Sequence, residues 1–236
     1  LRGRVVAFIL YEAQAEAYLS SANGLVIAQQ MVGGEEYGVM YCRLPSARSG
    51  SVTSIAHKGH TIVTGDGQAT LEQLIIEDDR AVNMAAFFLE AHSQDLHRVP
   101  GKDELVRLNV IGTHSRGSSF TDARHLNSEQ LTQTLDRITG HFEGFYLGRF
   151  DLFVPHPDSL TQGGSLSIVE LNGLTSEPAH IYHPSAPLRD GLAATCAHWA
   201  CAWRIGDQLS RSGHRPPGAK HVIRELRALA KSATAK

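Results

Sequence analysis

Four residues on two short apolar segments have the types and spacing to do chemistry. Arg149 and Asp151 sit in FYLGRFDLFV (145–154), and Glu170 and Asn172 in LSIVELN (166–172). Both segments alternate with period two, and the polar loop between them holds Pro155, Pro157, Gly163 and Gly164, so they read as the strands of a hairpin. Residues two apart on a strand share a face, which groups Arg149 with Asp151 and Phe153, and Glu170 with Leu166, Ile168 and Asn172. Symmetric pairing about the loop then sets Asp151 beside Glu170, with Asn172 and Arg149 close by. Two carboxylates that close repel unless a cation or a proton lies between them. Oxygen donors of this kind suit magnesium, which keeps several waters and is held by one or two carboxylates plus phosphate oxygens. The arginine would face those phosphates. For a single Arg/Asp pair a surface salt bridge is the commoner explanation, but four polar groups on mostly apolar strands favour a site.

With Arg149-x-Asp151 on one strand and Glu170-x-Asn172 on the next, the chain resembles the ATP-grasp superfamily, in particular carboxylate–amine ligases such as D-alanine–D-alanine ligases and glutathione synthetases. The resemblance runs from about residue 5 to 184. It implies that Asp151, Glu170 and Asn172 hold Mg2+ bridging the phosphates of ATP, and that Arg149 stabilises the acyl-phosphate transition state. A second block, LVIAQQMVGGEEYGVM (25–40), resembles the family's hinge between two lobes. There the resemblance implies that Gln29, Gln30, Met31 and Val32 meet the adenine edge and that Glu36 accepts from the ribose hydroxyls. By pattern alone the same block spells strand, Gly33-Gly34 turn, strand, a plain β-hairpin. A third block, LNVIGTHSRGSSF (108–120), breaks from an apolar strand into a polar loop. Its His114, Arg116 and backbone amides could face phosphate oxygens, or the segment is an ordinary polar loop. Lys58 and the Gly65-Asp66-Gly67 turn are taken as structural. Beyond Asn172, the loop with Thr175, Ser176 and Glu177 faces the substrate in related ligases. His180 and His183 are three apart but lack a third ligand for zinc. His57, His60, His92 and His97 read as ordinary polar positions.

The elements that must position these residues follow from the same patterns. Strands are expected at 5–10, 26–32, 37–43, 51–57, 106–111, 145–154 and 166–172. A helix is expected at 11–22. Thr70 caps a helix at 71–76, an apolar face marks 81–91, and Asn127 or Ser128 caps 131–138. Leu188, Leu192, Thr195, Trp199, Ala202, Gly206 and Leu209 recur at helical spacing, a stripe expected to be core or interface. A last helix spans 219–230. Strands outnumber the crossovers a parallel sheet would need, so the class is α+β with a largely antiparallel sheet and flanking helices. The expected organisation is an ATP-grasp domain at 1–184, its first 34 residues a remnant of the small lobe and hinge, with a helical extension at 185–236.

At 236 residues with 42% hydrophobic residues, one substantial core or two small lobes can be buried. ATP-grasp ligases carry an N-terminal domain and a lysine-bearing small lobe upstream of the hinge, so a missing lobe or partner chain is expected. A net charge of −2 with scattered basic residues argues against nucleic acid. No apolar run approaches the roughly 20 residues needed to span a bilayer, so no membrane insertion is expected. Cys42, Cys196 and Cys201 lack paired or zinc-like spacing, which points to a reduced, cytoplasmic setting. The expected function is an ATP- and magnesium-dependent ligase joining a small-molecule carboxylate to an amine or a thiol. A nucleotide-binding partner module and an ATP-grasp phosphotransferase are the alternatives.

Overall fold

Alternation at 37–43 and 51–57 builds the centre of a sheet. The computed structural model describes residues 9–22, 24–109 and 118–234. In chain order its regular elements are α1 (Glu12–Ser21), β1 (Glu35–Cys42), β2 (Ser51–Gly59), β3 (Ile62–Thr64), α2 (Leu71–Glu77), α3 (Ala85–Ala91), β4 (Leu105–Arg107), β5 (Ser119–Asp122), α4 (Glu129–Thr139), β6 (Leu147–Val154), α5 (Pro157–Thr161), β7 (Ser167–Asn172), α6 (Leu188–Arg211) and α7 (Ala219–Thr234). Five strands form one sheet in the order β5-β2-β1-β6-β7, and every neighbouring pair is antiparallel. β3 and β4 pair separately as a two-stranded ribbon. The class is α+β, with helices flanking an antiparallel sheet.

Each face of the sheet has its own chemistry because successive side chains alternate sides. Tyr37, Val39, Tyr41, Ile55, Phe150, Leu152 and Val154 point to one face and pack with Leu131 and Leu135 of α4 and Leu160 of α5. The opposite face carries Glu36, Lys58, Arg149 and Asp151, which engage one another. α4 docks through its apolar side, and Ser128 is its cap, its hydroxyl accepting from Leu131 N at 3.0 Å. Thr70 caps α2 in a reciprocal capping box with Gln73. A second small cluster under the β3–β4 ribbon gathers Leu71, Ile75, Ala81 and Phe88.

Several expectations differ. The stretch 26–32 forms no strand, and Leu25 and Ile27 are almost fully exposed. Among the described residues no strand lies beside it to take its hydrogen bonds, so apolar content alone did not make it extended. Ile9 and Leu10 are irregular, and the rest of 5–10 lies outside the described residues. The expected helix 81–91 is split into a 3-10 turn (Ala81–Met84) and α3. β3, β5 and α5 are too short to stand out in sequence. The α6 stripe is not core: Leu188, Leu192 and Trp199 are exposed, while the helix buries His198 and Ile205 instead. Periodicity locates an apolar stripe but not what covers it. Cys42 on β1 and Cys201 on α6 are joined in a disulfide across 159 positions, which runs against the reduced setting expected from their spacing; Cys196 is free. No described helix is long and apolar enough to cross a membrane.

One partly buried polar knot ties α4 to the sheet. The Tyr41 hydroxyl donates to Asp136, which also accepts from Ser49 Oγ at 2.5 Å and Gly50 N at 2.8 Å. Burial drives the Tyr41 hydroxyl up to about 12. Burial opposes the ionised form of Asp136, but the bonds from Ser49, Tyr41 and Gly50 outweigh it and leave the carboxyl below its ordinary value. Asp136→Ala, which leaves the Tyr41 hydroxyl only Thr139 Oγ1 at 3.3 Å and removes the acceptor of Ser49 and Gly50, should cost about 1–3 kcal/mol in urea unfolding. Because the folded group titrates below the unfolded one, the wild-type advantage should be full above the ordinary carboxylate range and fade as pH falls through it. For the disulfide, thiol titration of unreduced, denatured protein should count one reactive cysteine; a count of three would remove the bond.

Candidate functional site

The polar face is assembled by register. β6 pairs with β7 so that Asp151 faces Glu170 and Arg149 faces Asn172, with a register shift just beyond Asp151. On its other edge β6 pairs with β1, setting Gly38 opposite Asp151 and Glu36 opposite Phe153. β1 in turn pairs Glu36 with Lys58 on β2. At Gly38 a Cβ would lie 3.3 Å from Arg149 Cδ and 3.4 Å from Asp151 Oδ1, so the Arg149 side chain would have to give by a few tenths of an ångström. Gly34 at the entry to β1 has φ +111°, and a side chain there would strike the Val154 carbonyl at 2.3 Å.

Asp151 is the hub. It is 3% exposed and accepts from Arg149 Nε at 2.9 Å and Nη2 at 3.2 Å, and from Asn172 Nδ2 at 3.0 Å. Lys58 Nζ lies 3.0 Å from its Oδ2 and donates to Glu36 Oε1 at 2.8 Å. Lys58 is itself buried, so one ammonium bridges two carboxylates out of solvent. Burial pushes the Glu36 carboxyl up, opposed by Lys58 and reinforced by the charges of Asp151 and Glu170. Glu170 is exposed at the rim. Arg149 also reaches the Glu177 carbonyl at 3.5 Å, and the Tyr182 hydroxyl donates to the Glu177 carboxylate.

The structure therefore brings Arg149, Asp151, Glu170, Asn172 and Glu36 together. Lys58 is the member that sequence reasoning left aside. The alternation of β2 sets Ser54, Ala56 and Lys58 on one face, but only the β1–β2 register shows that this face is the one carrying Glu36. Gln29, Gln30 and Met31 are exposed in the irregular stretch before β1, with Val32 half-buried. His114 and Arg116 lie outside the described residues. His180 is buried and hydrogen-bonded to Ser54 Oγ at 2.6 Å, and His183 Nδ1 accepts from Asp122 N at 3.3 Å.

Chemically, the face presents two cations and three carboxylates around a small residue. Among the described residues no three acidic, histidine or cysteine side chains converge as a metal cage. Asp151 and Glu170 supply two carboxylates on opposed strand positions, but both oxygens of Asp151 already accept from Arg149, Asn172 or Lys58, so a cation held between the two would have to displace those donors. Lys58→Met should leave Glu36 and the Oδ2 side of Asp151 without their shared cation and cost about 3 kcal/mol. With Lys58 gone, the Glu36 carboxyl rises further, and a carboxyl raised by folding loses stability as pH climbs through its folded value. The deficit measured by urea unfolding should therefore be larger at pH 8 than at pH 5.

No protein-family model and no curated protein matches the chain. Among solved structures, the chain is similar to a bifunctional glutathione synthetase from Pasteurella multocida, at 19% identity and a TM-score of 0.45, covering 69% of this chain and 24% of that one. The chain spans about a quarter of that protein's length.

Proposed function

We propose that this chain is an ATP-grasp, ATP- and magnesium-dependent ligase that activates a small-molecule carboxylate for capture by an amine or a thiol. The observation that carries the reading is the opposed pair Asp151 and Glu170, flanked by Arg149 and Asn172 on the same two strands. A γ-phosphoryl group would pass from ATP to a carboxylate oxygen, releasing ADP; the amine or thiol would then attack the acyl carbon and expel phosphate. No side chain need act as nucleophile. Arg149 would face the transferring group, where a fixed cation beside developing negative charge supplies much of the catalysis in phosphoryl transfer. Asp151, Glu170 and Asn172 would hold magnesium, which neutralises phosphate charge when bound. Of these, Glu170 is the ligand most open to solvent. In the same reading Gln29, Gln30, Met31 and Val32 line the adenine, and Glu36, His114 and Arg116 complete the nucleotide contacts.

A second reading is a nucleotide-binding module that completes its site with a partner lobe. Its support is the exposure of Leu25, Ile27 and Met31, at 106%, 91% and 66%, on the stretch leading into β1, apolar surface that a second lobe would cover.

Calorimetry of ATP with and without magnesium is the direct test. The wild-type chain should bind magnesium-ATP, and Glu170→Gln should weaken that binding by at least about 10- to 100-fold, as loss of support for a bound metal does. Hydroxylamine added with ATP and a panel of carboxylates should give a hydroxamate. Binding without hydroxamate selects the partner module, and phosphorylation of an alcohol selects a phosphotransferase. Wild-type protein that ignores magnesium-ATP overturns the assignment.

A further inference from the structure

α7 (Ala219–Thr234) has two opposed sides, and neither is buried. Successive residues of an α-helix turn by about 100°. That sets Ala219, Val222, Ile223 and Leu226 on one side and Lys220, Arg224 and Arg227 on the other. Every residue from 210 to 228 is exposed, with Val222 at 43%, Ile223 at 48% and Leu226 at 59%. The apolar side is therefore left uncovered, in contrast to that of α4, where Leu131 and Leu135 are fully buried in the core. The cations are equally uncommitted. Their one ion pair among the described residues joins Arg224 to its sequence neighbour Glu225, at 3.5 Å. From residue 219 onward five lysines and arginines stand against that single glutamate, in a chain whose net charge is −2.

Charge and apolar surface on opposite sides decide what can cover both. A nucleic acid would take the cations and leave Val222, Ile223 and Leu226 in water. A protein groove would take the apolar side and leave the cations in water. The surface of an anionic bilayer accepts both at once: the acyl boundary receives the apolar side while the surrounding headgroups meet the cations. Burial there is shallow, which suits a helix too short in apolar residues to cross.

We propose that α7 is a docking helix for an anionic membrane surface. It lies in the interface with Val222, Ile223 and Leu226 toward the acyl chains and Lys220, Arg224 and Arg227 among the headgroups, and so holds the chain at the membrane without spanning it. α7 shares no residue with the Asp151 cluster, and the inference is independent of the nucleotide reading.

The test is flotation of the full chain with lipid vesicles, without nucleotide. The protein should float with vesicles of equal parts phosphatidylcholine and phosphatidylserine and stay behind with phosphatidylcholine alone. Binding should fall as sodium chloride is raised, because salt screens the attraction. Leu226→Asp, and Lys220→Glu combined with Arg227→Glu, should each weaken binding at least about tenfold. All three positions are exposed, so urea unfolding of these variants should match wild type. The proposal is overturned if the wild-type chain does not float with the anionic vesicles, if it floats equally with phosphatidylcholine alone, or if Leu226→Asp retains wild-type binding. A chain that binds duplex DNA and leaves the vesicles is a nucleic-acid binder, which overturns it equally. Magnesium-ATP binding is read separately, so either result can fail without the other.

Discussion

A carboxylate buried in a sheet must be neutralised, and the polar face of this molecule is organised around doing so for Asp151. At 3% exposure, an unpaired Asp151 would be prohibitively costly. Arg149, Asn172 and Lys58 supply its partners from three strands, so the β2, β1, β6 and β7 registers are coupled through one side chain. A slip of one residue in any of these pairings would turn a charge into the apolar face behind it. The same arrangement concentrates fixed charge of both signs on one face of the sheet.

The two faces divide the labour. Behind the sheet, α4 and α5 close a core of leucine, valine and aromatic side chains, pinned at one point by Tyr41 and Asp136. In front, the charged cluster lies beside a small apolar one of Ala56, Phe120 and Ala179. The packed core lies behind the sheet and the charged cluster in front, so a core substitution would reach that cluster mainly through strand register.

α6 is the element whose role departs furthest from its sequence pattern. It turns alanines, His198 and Cys201 toward the sheet and leaves Leu188, Leu192, Trp199 and Trp203 facing outward. Small residues on the inner side leave the space between helix and sheet unfilled, whereas larger ones would have occupied it. The Cys42–Cys201 bond ties that helix to β1, the strand that carries Glu36 and Gly38.

By itself the sequence determined the strands on either side of Pro155 and Pro157, the pairing of Asp151 with Glu170, the antiparallel character of the sheet and the capped helices α2 and α4. These are local: alternation, turn residues and caps act within a few positions, and a hairpin's register follows from its own loop. What it could not decide were relations between segments far apart in the chain. Lys58 joins the site only through the β1–β2 register, Cys42 meets Cys201 only because α6 lies on β1, and His198 is inside although the apolar stripe beside it is outside. The stretch 26–32 had the composition of a strand but gained no neighbour to pair with among the described residues. Apolar periodicity states which residues would benefit from burial; the tertiary structure decides which of them obtain a partner.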